Sequence, residues 1–426
     1  MTAWGEFRSS WSNLLGTCFG LGMGAALSFY TMSIFGPALV ADLGWSRADF
    51  ALVGSLPLLS MVILPFTGRF IDRVGPRVAG TAGFSMLTLC FVALSMMNGP
   101  FWQYLVINFF ISVFGVMTSS MVFARVIVDR FDRARGLALS IMMSASPLSG
   151  AFAAPLVGGV IAEHGWRSGY LTLAAISAVG GILTIALIGR SGGKAQGESS
   201  PARAPAKFTR AEFLTIVRNP VFPILIVGMF LVNVPQVFAQ SQLKLVIMGT
   251  GVPGATATWM VSLYAIGVVV GRCGCGLALD RVRTHLVAFV TLGLPTVSYV
   301  LFAGNITATS VLVPAILLIG LAQGAEGDVG AFIISRRFDQ KNFSLLYAFL
   351  NIMVSSGSSI GALVLSMTLQ GSNSYAPFSI VCAVTAFAGA VLFGLTGLVG
   401  HGREKLATSD DVEEAVAQSG LPGETV

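Results

Sequence analysis

Gly68-Arg69-Phe70-Ile71-Asp72-Arg73-Val74-Gly75-Pro76-Arg77 is followed 208 residues later by Gly276-Leu277-Ala278-Leu279-Asp280-Arg281-Val282. The glycine, the Asp-Arg pair and the valine coincide in the two stretches. A second pair, Arg130-Phe131-Asp132 and Arg337-Phe338-Asp339, repeats at an offset of 207. These short charged segments separate long apolar runs, so the chain reads as two related halves. Working outward, apolar spans are expected at about 12–40, 48–68, 78–97, 101–127, 137–162 and 169–189. The second set is expected at about 221–247, 254–279, 285–304, 308–334, 342–369 and 376–400. The division is a six-helix bundle over 1–189, a Gly/Ser/Pro-rich linker over 190–220, a second bundle over 221–400, and a polar, acidic tail over 401–426 that is expected to be disordered. Within the linker, Lys207 to Val217 could form a short amphipathic helix on the membrane surface.

Of the 426 residues, 54% are hydrophobic and 10% charged, with a mean hydropathy of +0.81. A soluble domain carries about 25% charged residues, so a soluble enzyme is excluded. A β-barrel would alternate polar and apolar residues in segments of about ten, whereas these runs are unbroken. The fold class is therefore an all-α membrane protein with twelve transmembrane helices in two six-helix bundles. The net charge of +6 does not point to nucleic acid. Twenty of the 25 lysines and arginines fall in segments on the side of both termini, and only Arg47 and Arg167 fall in loops on the other. By the positive-inside rule both termini are cytoplasmic, and the plasma (inner) membrane is the expected location. The N-terminus, with Glu6 and one arginine ahead of a long apolar run, is not that of a signal peptide. The five cysteines lack metal-ligand spacing and read as small packing residues. There is no GxxxxGK[ST] loop, nucleophile elbow or HExxH, so neither ATP drive, a cofactor nor enzymatic activity is expected.

Six plus six helices as parallel repeats form a transporter architecture, with substrate near the membrane midplane between the halves. The stretch from Gly68 to Arg77 resembles the loop 2–3 signature of the major facilitator superfamily. Gly150-Ala151-Phe152-Ala153-Ala154-Pro155-Leu156-Val157-Gly158-Gly159 resembles its fifth-helix signature, with Ala154 where glycine is usual. The resemblance covers about residues 12 to 400 and implies two bundles rocking about a central cavity. It also implies a cytoplasmic latch of Gly68, Asp72, Arg73, Gly75 and Arg77, repeated by Asp280 and Arg281, that holds the outward-open state. Val128 to Ala138 is similar to the monocarboxylate-transporter and oxalate-exchanger branch, as is Arg272 eight residues before Asp280. The charged first-helix residue, the eleventh-helix lysine and the acid expected at Val261 are missing here.

Arg272 lies about 12 Å inside the membrane along its helix, where an arginine must face a wet cavity or a partner. Its fork of donors suits a carboxylate, which makes it the first candidate for substrate binding. The alternative is a structural ion pair with an acid of the tenth span. Glu326 and Asp328 in that span reach about the same depth but are roughly 200° apart around the helix, so they cannot share a face. They are the candidates for carrying a proton, or for locking Arg272 or another helix. Arg125 could guide an anion inward or snorkel to the interface. Lys244, near the outer end of the seventh span, reads as snorkelling. Tyr30, Gln236, Gln240 and Asn351 are candidate polar contacts in the cavity, and Asn233 and Ser355 lie on the same helices. The expected function is secondary active transport of small organic anions, carboxylates above all, in symport with protons by alternating access. The alternatives are carboxylate exchange and proton-driven efflux of amphipathic compounds. The expected partners are the anion, the proton and the lipid bilayer, with a monomer as the working unit.

Overall fold

The computed structural model describes residues 3–61, 63–131, 134–188, 216–304, 306–338 and 342–399. Most of the expected linker, most of its surface helix, and the tail lie outside the described residues, as do Asp132, Asp339 and the Asp72 side chain. The described residues form helices and turns only. Ten runs are long and apolar enough to cross a membrane. One of them, Arg135–Leu187, contains two passes joined at Gly165. A further pass over 47–74 is cut into short segments, Arg47–Leu52, Val53–Ser55 and Leu56–Ser60, before it continues from Leu64.

Twelve passes result among the described residues: α1 (3–43), α2 (47–74), α3 (76–95), α4 (Phe101–Arg130), α5 (135–164), α6 (166–187), α7 (Val221–Gly249), α8 (Gly254–Leu279), α9 (Thr284–Ala303), α10 (Thr309–Arg337), α11 (Phe343–Ser372) and α12 (Ala376–Leu395). Each matches an expected span to within about three residues, except that α1 begins nine residues earlier, α2 ends six later and α12 ends five earlier.

The turns after α2 and α5 share one backbone conformation. Gly75 has φ 80° and ψ 164°, and Gly165 has φ 79° and ψ 169°. That region is open essentially to glycine alone. Two residues after each glycine stands an arginine. Arg77 Nη2 at the start of α3 donates to the Ile185 carbonyl at the end of α6, 3.1 Å away. Arg167 Nη2 at the start of α6 donates to the Met97 carbonyl just after α3, at 3.2 Å. The two bonds are reciprocal, as inverted three-helix repeats within one half require. Each satisfies a carbonyl at a helix end that has no helical partner.

Three passes break near mid-membrane. α1 is interrupted at Met23–Gly24, α4 at Ser119 (φ −90°, ψ 172°), and α7 passes through a π-helical segment, Phe238–Gln242, just after Pro235. Broken backbone at this depth is tolerated only where protein or a wet cavity re-satisfies it. Here the Thr118 hydroxyl accepts from the Ala25 N–H at 3.0 Å across the first break.

The halves meet at the end away from the termini. There, residues 25–43 of α1 pack on the end of α7, the start of α2 packs on α11, and α5 packs along α8. The segments Ala3–Gly22, Leu64–Ser95 and Ser120–Arg130, and in the other half Val221–Asn233 and Thr309–Arg337, pack extensively only within their own half. The molecule is therefore closed at the far end and parted on the side of the termini.

Replacing Arg77 or Arg167 by alanine is expected to cost about 1 kcal/mol of stability each. The two clasps lie at opposite ends of α3, so the double variant should show the sum, within about 0.5 kcal/mol. Unfolding in detergent checks both values.

Candidate functional site

A cavity of about 530 Å³ lies between the halves at the level of the helix breaks. Ser28, Phe29 and Met32 of α1, Val53 and Leu56 of α2, and Asn108, Ser112, Thr118 and Ser119 of α4 line it. Ser120 of α4, Ser146 of α5, Gln240 of α7 and Ser355 of α11 complete the polar lining. No ionisable acid or base is among its lining residues. Of the expected contacts, Gln240 lines this cavity. Asn351 stands one turn from Ser355 on the same side of α11, exposed, with its amide donating to the Tyr347 carbonyl at 2.7 Å. Tyr30 sits instead at the seam of the halves, packed on Gly150 and 6.2 Å from the Tyr264 ring of α8. Arg125 is exposed on α4. Sequence reasoning passed over Asn108, Ser112 and Ser119, although a run of three hydroxyl residues, Thr118 to Ser120, inside an apolar span is a signal of broken backbone.

α8 and α10, which contribute no residue to the lining of this cavity, approach backbone to backbone. Gly267 and Gly271 face Gly320 and Gly324, each pair spaced four apart. A methyl group on Gly271 would run into the Leu321 carbonyl, and one on Gly324 into the Val268 carbonyl. This contact sets Arg272, next to Gly271, opposite Asp328, one turn beyond Gly324. The Arg272 Nε to Asp328 Oδ2 distance is 3.7 Å. Arg272 Nη1 also donates to the Met143 carbonyl of α5 at 3.3 Å. That carbonyl is free because Pro147, four residues on, has no N–H to give it. One guanidinium therefore touches both halves. Side-chain exposures of 27% and 41% leave Arg272 and Asp328 accessible. The ion pair with a tenth-span acid, left open by the sequence, is present.

Glu326 faces the other way, as the angle around the helix requires. It is buried inside the second half, where Asn233 Nδ2 donates to Oε1 at 2.5 Å and Gln323 Nε2 to Oε2 at 3.3 Å. Gln236 shares with it a small pocket of about 20 Å³, beside Tyr299 and Pro295, rather than the central cavity. That volume holds about one water.

The expected latch is not assembled among the described residues. Asp280 and Arg281 are exposed, and their side chains make no hydrogen bond or ion pair there; Arg73 is exposed, and Gly68 has open space beside it. Arg77 clasps α6 within its own half, and Gly75 forms the turn. A molecule parted on this side leaves such groups unengaged.

Residues 18–245 match the sequence profile of the Major Facilitator Superfamily. The chain belongs to that superfamily. The fujikurins efflux protein of Gibberella fujikuroi is 23% identical over 300 residues, covering 68% of this chain and 61% of that protein, so the match spans about three fifths of the relative. The peptide transporter POT in complex with sulfate has the same fold, with TM-score 0.72 and 17% identity over 92% of this chain and 96% of that one. A mutant of the nucleoside transporter NupG matches with TM-score 0.71 and 13% identity over 92% and 99%. This major facilitator is an integral membrane transporter and not an enzyme.

Asn233→Ala removes a donor from a buried carboxylate and is expected to cost about 2 kcal/mol. Adding Glu326→Gln should recover at least about 1 kcal/mol of that loss, measured as a double-mutant cycle of unfolding midpoints.

Proposed function

We propose that this major facilitator is a proton-coupled symporter of small organic anions, carboxylates above all, akin to the monocarboxylate-transporter and oxalate-exchanger branch. The observation that carries the reading is the Arg272 guanidinium, partly accessible, between Asp328 and the Met143 carbonyl. An incoming carboxylate takes the place of Asp328 on the fork. Asp328, no longer paired, takes up a proton, because an unpaired charge at this depth is costly. The charge of the site is then unchanged, and one anion crosses with one proton. Glu326, held by Asn233 and Gln323, is the second proton-carrying candidate. Gln240, Asn351 and Tyr30 orient the rest of the substrate, Gln236 supports Glu326, and Arg125 attracts the anion from the cytoplasmic side. With both termini cytoplasmic, as the excess of arginine on that side favours, the described state is inward-facing. Closing it would engage Asp72, Arg73, Asp280 and Arg281. The plasma (inner) membrane is the proposed location and the monomer the working unit.

A second reading is proton-driven efflux of amphipathic compounds. The uncharged, half-apolar lining of the central cavity and the efflux role in the name of the Gibberella relative favour it. Carboxylate exchange without net proton flow is a third.

Purified protein in liposomes holding a pH-sensitive dye separates these. Mono-, di- and aromatic carboxylates should drive protein-dependent proton influx, and Arg272→Gln should lower it about thirtyfold or more. Asp328→Asn should retain anion exchange and lose proton flux. Proton movement with organic cations alone would sink the carboxylate reading and favour efflux.

A further inference from the structure

Lys244 does not snorkel. It lies five residues before the end of α7, is only 7% exposed, and makes no hydrogen bond or ion pair with any described residue. A lysine this deep, with its ammonium reached only from the adjoining cavity and no protein partner for its charge, is costly, so a group that cancels the charge would bind with a strong driving force. Lys244 opens onto a second cavity of about 320 Å³ at the seam of the halves. Pro37 of α1 and Pro155 and Gly159 of α5 wall it on one side, and Lys244, Gly254 and Trp259 on the other. The remaining walls are also apolar or small, and no acidic residue is among them. The first turn of α8 begins at this cavity. Pro253 at its cap offers no side-chain hydrogen bond, so the leading N–H groups carry the positive end of a 26-residue helix into the same space.

We propose that this cavity is a second site, for an amphipathic monoanion. Its carboxylate sits between Lys244 and the α8 N-terminus, and its alkyl body lies against Pro37, Pro155 and Trp259. The site is about 21 Å along α8 from Arg272, counted from Thr258. Its walls come from both halves, so it exists only while the far end is closed. A ligand that binds one state of a two-state equilibrium shifts the population toward it. The bound anion is therefore a brake, holding the transporter parted on the side of the termini. This inference does not rest on the carboxylate reading of the central cavity.

The test uses the full chain, delipidated in a neutral detergent, with decanoate, decanol and decyltrimethylammonium as probes below their micellar range. Decanoate should raise the unfolding midpoint, and the alcohol and the cation should not. Lys244→Met should raise the midpoint without ligand, since it removes a poorly solvated charge that has no protein partner. It should weaken decanoate binding about tenfold or more. Gly159→Leu keeps Lys244 but fills the cavity from the opposite wall, where a Cβ meets nothing within 4 Å; it should also lose the response. Equal shifts in the wild type and Lys244→Met, or none in the wild type, overturn the proposal. In lipid nanodiscs, a decanoate response lost only with phosphatidylglycerol supports the site with an anionic lipid as occupant. A response kept in both phosphatidylglycerol and phosphatidylcholine supports it with a free acid.

Discussion

The backbone contact between α8 and α10 is the interaction on which the candidate site depends. Lipid supplies no hydrophobic drive to press two helices together, so close approach and dispersion must hold them. Gly267 and Gly271 against Gly320 and Gly324 remove every side chain from the line of contact. Arg272 follows Gly271 directly and Asp328 lies one turn beyond Gly324, and the approach that the glycines permit brings the two charges within 3.7 Å. With larger residues on that line, both charges would be held apart in a medium that tolerates neither alone.

The second constraint is that backbone groups deep in a membrane need partners. The protein uses the exceptions. Pro147 frees the Met143 carbonyl, which Arg272 from the other half then takes. The break in α1 leaves an N–H that Thr118 satisfies, and the break in α4 sets hydroxyls along the cavity. Each interruption lies beside the central cavity or the seam of the halves, where helices must slide or part during a cycle. By contrast, the Arg77 and Arg167 clasps stiffen the first half as a unit. A rocking-bundle transporter needs both properties, firm halves and an adaptable seam.

Much of this was legible in the residues. The repeat around Asp72 and Asp280 gave two halves, and hydropathy gave twelve passes to within a few residues at most ends. The depth of Arg272 and the opposition of Glu326 and Asp328 followed from helix geometry alone. Where other residues point was not legible, because depth does not give direction. Gln236 turns into the second bundle beside Glu326, and Tyr30 packs at the seam. Lys244 is near a helix end, where a long side chain ordinarily reaches water, but the closed far end covers it.

The sequence by itself determined what depends on one helix at a time: span count, halves and charge depth. Those follow from hydropathy and rise per residue. Only the tertiary structure decided which acid meets Arg272, which amide meets Glu326, and which lysine is left without a partner. Those depend on how each helix rotates about its axis and on which end the halves close. Both are set by the summed packing of all twelve passes, and no single stretch of residues carries that information.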